Sequence, residues 1–222
     1  GNGQKELSEM LSGMAPYTGG SITINGTEIA GKSIHDIRSL GLAHIPEDRM
    51  LYGCAANLSI KENIIADRYR DAEFKRGPFM NRKKINQAAD EYIKLFEIAC
   101  DNRDQQVRML SGGNIQKVVV AREFTSNSTV LLANQPTRGI DVGTSEMIRK
   151  TMVRKCREDN LAVLLISADL NEILEVSDRL LVMREGRIVG VFPKAKSVSE
   201  ETLGEYMLGL REMTDEEMRG LL

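Results

Sequence analysis

Leu110-Ser111-Gly112-Gly113-Asn114-Ile115-Gln116-Lys117 runs straight into Val118-Val119-Val120-Ala121-Arg122, and the reading of this stretch decides the fold. Ser111 is placed to cap the helix that follows, predicted over 111–124. Gly112 and Gly113 carry no Cβ, so a phosphate can approach their backbone closely. A helix N-terminus offers such an anion free N–H groups and the positive end of a dipole.

Downstream, Val130-Leu131-Leu132-Ala133-Asn134-Gln135-Pro136-Thr137 reads as a buried strand over 129–133 with a polar end, followed by Arg138-Gly139-Ile140-Asp141. Leu164-Leu165-Ile166-Ser167-Ala168-Asp169 repeats the pattern, as a buried strand over 161–166. Open α/β sheets bind ligands at such carboxyl edges. Helices are predicted over 143–159, 169–176 and 200–208. Arg179–Arg184 and Arg187–Phe192 flank Glu185-Gly186 as a β-hairpin. The polar residues after Arg211 are expected to be poorly ordered.

Upstream, the segment 59–124 has a helical, polar texture: helices over 59–70 and 81–96, with Lys75-Arg76-Gly77-Pro78 as a loop between them. Gly41–Ile45 is a short strand, and 33–40 a short helix capped by Ser33. Ile22 and Ile24 alternate towards an Asn25-Gly26 turn, with a return strand starting at Glu28-Ile29. Gly1-Asn2-Gly3-Gln4-Lys5-Glu6-Leu7 is a glycine turn opening a helix over 4–14, with Leu7, Met10, Leu11 and Met14 on one face. Such a turn also suits phosphate. It begins abruptly with no strand before it, so an upstream part of the domain is expected outside this sequence. Strands alternating with helices argue an α/β fold with a mainly parallel sheet flanked by helices, an antiparallel β edge and an inserted helical subdomain. The expected divisions are 1–58 and 126–210 for the core, 59–125 for the subdomain and 211–222 for a tail.

Composition narrows the class. Of 222 residues, 41% are apolar and the net charge is only -2, which argues against nucleic acid as a partner. Cys54, Cys100 and Cys156 have neither metal-ligand spacing nor a disulfide pattern, and are expected to be buried thiols in a reducing compartment. The longest apolar run, Leu161–Ile166, is far short of the ~20 residues a membrane helix needs. The cations Lys75, Arg76, Arg82, Lys83 and Lys84 read as a solvated face, and His44 as a packed strand residue.

The stretch LSGGN with Gln116, the strand ending in Asn134-Gln135-Pro136-Thr137, and Arg138-Gly139-Ile140-Asp141-Val142-Gly143 together resemble the ABC transporter ATPases, which are P-loop NTPases. Gly41-Leu42-Ala43-His44-Ile45-Pro46-Glu47-Asp48-Arg49 looks like the Q-loop region of the second nucleotide-binding domain in bacterial sugar and nucleoside importers. The neutral pair before Pro-Thr is most similar to importers of the basic membrane protein-associated nucleoside type; ribose and galactose importers usually keep an acidic pair there.

The resemblance implies ATP and Mg²⁺ as ligands, a second nucleotide-binding domain docked head to tail and carried in the same full-length chain, membrane permease subunits, and indirectly a solute-binding protein. It implies a peripheral position on the cytoplasmic face of the membrane. Leu110, Ser111, Gly112, Gly113, Asn114 and Gln116 would be the signature that closes on the partner's nucleotide, and Asp141 a dimer contact or a plain helix cap. Gly1, Asn2, Gly3, Gln4, Lys5 and Glu6 would be the phosphate loop, with Gln4 where the family has lysine. Asn134 stands at the Mg²⁺ position, Gln135 at the catalytic base, Ala168 at the switch histidine and Glu47 at the Q-loop glutamine. A neutral amide holds a hard cation weakly, and Gln135 cannot take a proton. This half is therefore expected to be weakly active or inactive and to lend its signature to its partner. A monosaccharide importer and a non-transport nucleotide-sensing scaffold remain alternatives. The Glu47–Ile60 segment would face the membrane subunits.

Overall fold

A computed structural model describes residues 2–221. Gly1, assigned to the phosphate loop, lies outside the described residues. The chain divides into two compact units, Arg38–Leu164 and a second made of the residues up to Ile37 with those from Leu165 onward.

In chain order the elements are α1 (Gln4–Leu11), β1 (Thr23–Ile24), β2 (Thr27–Glu28), α2 (Ile34–Ser39), β3 (Leu42–Ile45), α3 (Ile60–Ile64), β4 (Lys75–Arg76), β5 (Phe79–Met80), α4 (Arg82–Leu95), α5 (Gly112–Phe124), β6 (Val130–Asn134), α6 (Val142–Glu158), β7 (Ala162–Ile166), α7 (Leu170–Val176), β8 (Leu180–Arg184), β9 (Arg187–Phe192), α8 (Glu200–Leu208) and α9 (Asp215–Arg219). A π-helical turn, Arg49–Gly53, follows β3.

The Arg38–Leu164 unit is built around α5. From Val118 to Phe124 every residue of that helix is buried, so it is enclosed on all sides rather than amphipathic. Around it lie Ile60 and Ile64 of α3, Val107, Leu131 and Leu132 of β6, and Ile148 of α6, all nearly fully buried. The sheet has the order β3-β6-β7. β3 pairs with β6 in parallel, Leu42 opposite Val130 and Ile45 opposite Ala133, as the alternating pattern predicts. In the other unit, β8 and β9 form an antiparallel hairpin with an irregularity at Val182/Met183. Leu180, Val182, Val189, Ala195, Leu203 and Tyr206 make its core, and Phe192 meets Tyr206 edge-on at 5.2 Å.

Several expectations need correction. The first helix stops at Leu11 because Gly13 turns the chain with φ 77°. Its apolar face is only half-buried, and Ser8 and Ser12 take the inner side. The helix expected over 59–70 ends at Ile64; the Arg68 guanidinium takes the Ile64 carbonyl and also Thr125, turning the chain aside. Lys75–Pro78 is not a plain loop but enters the β4–β5 hairpin. β7 is half-exposed along its length rather than buried, unlike β3, the other outer strand in the β3-β6-β7 order. The tail carries α9, closed by a capping box between Thr214 and Glu217. The three cysteines are free but only half-buried.

Candidate functional site

Ser111 begins the site. Its backbone is extended, and its hydroxyl accepts from Asn114 N at 3.4 Å and from the Asn114 side-chain amide at 2.9 Å. Asn114 in turn accepts from Ala99 N at 2.8 Å, fixing the turn to the α4–α5 connection. Ser111 is exposed, and Leu110, Gly112, Gly113 and Asn114 are half-buried. The result is a helix N-terminus open to solvent on a helix buried along the rest of its length, a geometry suited to an anion. One turn further in, the buried Gln116 donates to Pro136 O at 2.7 Å, tying the helix to the loop after β6.

That loop returns to the same place. A Cβ on Gly113 would stand 3.0 Å from Asp141 Oδ2, and one on Gly112 would stand 3.0 Å from Arg49 Nη2. A side chain at either glycine would press on these groups, which would have to give by a few tenths of an ångström. Asp141 caps α6: one carboxylate oxygen accepts from Thr144 N and the other from the Thr144 hydroxyl, both at 2.8 Å. Those bonds hold its carboxyl below the usual range. Arg49 donates to Arg138 O at 2.9 Å and to Gly139 O at 3.3 Å, and Arg138 forms an ion pair with Glu47. Glu47 is thus a carboxylate already engaged by a cation. Arg49 is the residue that sequence reasoning passed over. Its partners lie about 90 positions away and are backbone carbonyls, which leave no mark in a sequence.

Asn134 ends β6 and is buried, while Gln135 sits just beyond it, half-buried, in a left-handed backbone with φ 53°. Both side chains are neutral amides. Among the described residues no three of His, Cys, Asp and Glu gather as metal ligands. This donor set does not fit Mg²⁺, which prefers carboxylate and water oxygen.

In the other unit, Asn2 and Gln4 line a cavity of about 90 Å³ together with Ser167, Ala168, Leu170 and Met183. Gly3 caps α1 with φ 99° and no side-chain bond. The Asn2 carbonyl accepts from Gly186 N at 2.9 Å and its side-chain oxygen from Glu185 N at 3.4 Å. The turn is therefore pinned to the β8–β9 hairpin. Lys5 is exposed and pairs with Glu9 at 3.8 Å; Glu6 is also exposed.

Towards the C-terminal end of α5, away from the Ser111 turn, lies a buried ionic network. Glu123, fully buried on α5, accepts from Arg122 at 2.8 Å, from Arg38 at 2.9 Å and from His44 N at 3.0 Å. Burial alone would raise its pKa, but the two arginines hold it below the usual carboxylate range. Arg122 also donates to Gly53 O at 2.8 Å, joining α5 to the π-helical turn. On that turn Met50, Leu51 and Tyr52 are exposed.

The sequence profile of the ABC transporter family matches residues 1–138. The chain is 37% identical over 191 residues to the glucose import ATP-binding protein TsgD13 of Haloferax volcanii, covering 85% of this chain and 34% of that protein. It is 36% identical to the nucleoside import ATP-binding protein NupA of Lactococcus lactis subsp. cremoris, and 35% to the guanosine import ATP-binding protein NupO of Bacillus subtilis. Each of these covers 94% of this chain and 41% of the relative, so the chain spans well under half of the curated relatives it matches. The fold is similar to the ATP-binding cassette MJ0796, solved as a dimer in a post-hydrolysis state with ADP and Pi. The TM-score is 0.74 at 20% identity, covering 88% of this chain and 82% of that one. No helix among the described residues is long and apolar enough to cross a membrane.

Proposed function

Because this chain belongs to the ABC transporter family, we propose that it is a nucleotide-binding domain of an importer ATPase whose own hydrolytic positions are degenerate and whose signature turn serves a partner domain. The observation that carries this reading is the contrast within the Arg38–Leu164 unit. The Ser111–Gly113 turn is intact, open and braced, while Asn134 and Gln135 offer neither a metal-binding carboxylate nor a base.

In this reading the partner's phosphate loop holds ATP against the free N–H groups of Gly112 and Gly113 and the Ser111 hydroxyl. Backbone donors in fixed positions stabilise charge without reorganising, which is how phosphoryl transfer is mostly catalysed. Asp141 meets the partner across the interface. Asn2, Gly3, Gln4, Lys5 and Glu6 contact nucleotide weakly: a neutral Gln4 can hydrogen-bond a phosphate but cannot offset its charge, and Ala168 brings no imidazole. Met50, Leu51 and Tyr52 give the permease an apolar surface, and the domain sits peripherally on the cytoplasmic face of the membrane.

The solute is a nucleoside, supported by relatives named for nucleoside and guanosine import and by the neutral Asn134-Gln135 pair. A monosaccharide is the second reading, favoured by the relative named for glucose import.

The test is ATPase activity and uptake in the assembled transporter. Ser111→Arg puts a large side chain where the partner's phosphates must lie, and both rates should fall by about a hundredfold or more, the scale of losing oxyanion-type donors. Gln4→Lys should change them less than about threefold, because one restored charge leaves the base and metal positions empty of carboxylate. Normal rates in Ser111→Arg would sink the reading.

A further inference from the structure

The Ser111–Gly113 turn does not stand alone. Three segments distant in sequence converge on one side chain. Arg49 Nη1 donates to Arg138 O at 2.9 Å and Arg49 Nη2 donates to Gly139 O at 3.3 Å. The same Nη2 lies 3.0 Å from the point where a Cβ on Gly112 would stand. Gly139 takes φ 66°, a backbone that L side chains rarely adopt, and in that conformation its carbonyl accepts from Arg49. Arg138, whose carbonyl Arg49 holds, reaches back to Glu47. The clasp is therefore double: a side chain from each segment grips the other segment. Asp141, two residues beyond Gly139, fills the space beside Gly113.

We propose that Arg49 is a positioning residue that locks the Glu47–Arg49 segment, the Arg138–Asp141 loop and the Ser111–Gly113 turn into one wall, so that the turn meets the partner's nucleotide already in register. The proposal rests on the reading of Ser111–Gly113 as a donated signature. Physical chemistry favours arginine in this place. A planar guanidinium holds two carbonyls in fixed directions with its fork of N–H groups, whereas an ammonium is a point donor on a flexible stem. Its charge is delocalised and weakly hydrated, so it tolerates the half-buried position. The clasp also supplies a reason for Gly112: a Cβ there would stand 3.0 Å from the guanidinium and press on it. A wall fixed before closure has less conformational freedom to lose when the two domains meet.

The experiment compares Arg49→Ala, Arg49→Lys and Ser111→Arg in the assembled transporter, reading ATPase rate against ATP concentration. An interaction made only in the closed state lowers kcat and leaves KM in place. Arg49→Ala should lower kcat about tenfold with KM within about twofold, and Arg49→Lys should recover only part of the loss. Because loss of folded protein also lowers the apparent kcat at unchanged KM, each rate is referred to the folded fraction measured by circular dichroism.

A second measurement covers the case in which Arg49→Ala folds poorly. Thermal unfolding of Gly112→Ala, Arg49→Ala and the double variant forms a cycle. The added methyl should lower the midpoint less than about half as much when Arg49 is already alanine, because its obstacle has gone. Additive losses overturn the proposal. So does a kcat within about twofold of the parent in Arg49→Ala when Ser111→Arg is inactive, an outcome that leaves the donated signature standing. A rise in KM with kcat unchanged would make Arg49 a nucleotide contact and also overturn it. Full activity in Ser111→Arg removes the reading of the turn itself, and the clasp with it.

Discussion

Two glycine turns open helices in this molecule, Asn2–Gly3 before α1 and Ser111–Gly113 before α5, and they are braced differently. The Ser111 turn is capped by its own serine and backed by a helix buried from Val118 to Phe124. It is tied through Gln116 and Arg122 to two separate loops. The Gly3 turn has no side-chain cap, and the atoms that Asn2 uses are spent on the β8–β9 hairpin. Its helix is eight residues long and half-buried on its apolar face. A turn that must present N–H groups to another molecule's ligand needs stiffness from beneath, because closure reorders whatever is loose. The contrast fits a domain that has kept the surface it gives away and lost the chemistry it would use itself.

The comparison breaks most easily at Glu123. If the ionic network stiffens the Ser111 side, Glu123→Ala should be severe. It leaves the buried Arg122 without a carboxylate, while the half-buried Arg38 keeps Asp67 at 3.1 Å, and breaking a buried pair typically costs about 3–5 kcal/mol. Urea unfolding followed by circular dichroism measures this directly. Glu123→Gln keeps the shape and part of the hydrogen bonding, and should cost less. A loss below about 1 kcal/mol for the alanine variant would place the stiffness in apolar packing alone.

The Gly3 turn predicts a smaller effect with a different origin. Its φ of 99° disfavours any other residue, and a Cβ would stand 2.9 Å from Gly186 Cα and 3.0 Å from Met183 Cε. The first of these is backbone and cannot swing aside. Gly3→Ala should therefore destabilise by about 2 kcal/mol, combining strain with close contact. If the variant matches the parent in urea unfolding, the hairpin does not hold this turn.

Much of the architecture was legible because its signals are local. Ser111 as a cap and the Glu185-Gly186 hairpin read correctly, and the cap was one of the two readings open for Asp141, since capping and turn chemistry act within a few residues. Some misses were local, at Gly13 after α1 and at the Thr214–Glu217 capping box of α9; others were not. The helix after Ser59 was expected to run to Arg70 and stops at Ile64, where Arg68 turns to Thr125. β7 was expected to be buried because its residues are apolar, yet it is half-exposed while β3, the other outer strand, is buried. At the site, motif order pointed to the Ser111 turn, but Arg49, whose side chain braces it, acts on partners far along the chain. Arg49 binds carbonyls, which every residue has, so no residue type advertises the contact. Glu123 follows Arg122 inside an apolar helix and reads like a solvated pair until the helix is seen to be enclosed.

His44 sharpens the comparison with the smallest effect and a definite sign. It sits on β3, where its backbone N–H donates to Glu123 and its side-chain Nε2 is buried without a partner. Burial pushes the imidazole down from 6.5 to about 4; the Glu123 carboxylate opposes that shift, and Arg38 and Arg122 add to it. The folded form therefore holds His44 neutral, and the unfolded chain takes up the proton first as the medium is acidified. The contribution to stability is complete above pH 6.5 and is lost progressively as pH falls towards 4. Allowing for partial exposure, the loss should be about 1 kcal/mol. Other carboxylates titrate in the lower half of this window, so the quantity to read is the difference between the parent and His44→Phe, which keeps a ring of similar size. The parent's unfolding free energy should fall more steeply between pH 6.5 and 5 than the variant's. The comparison with His44→Phe isolates this ring from His35, the other histidine, which is exposed. Equal slopes would mean that water reaches the His44 ring, and that the β3 side of the network is looser than the Glu123 hydrogen bonds imply.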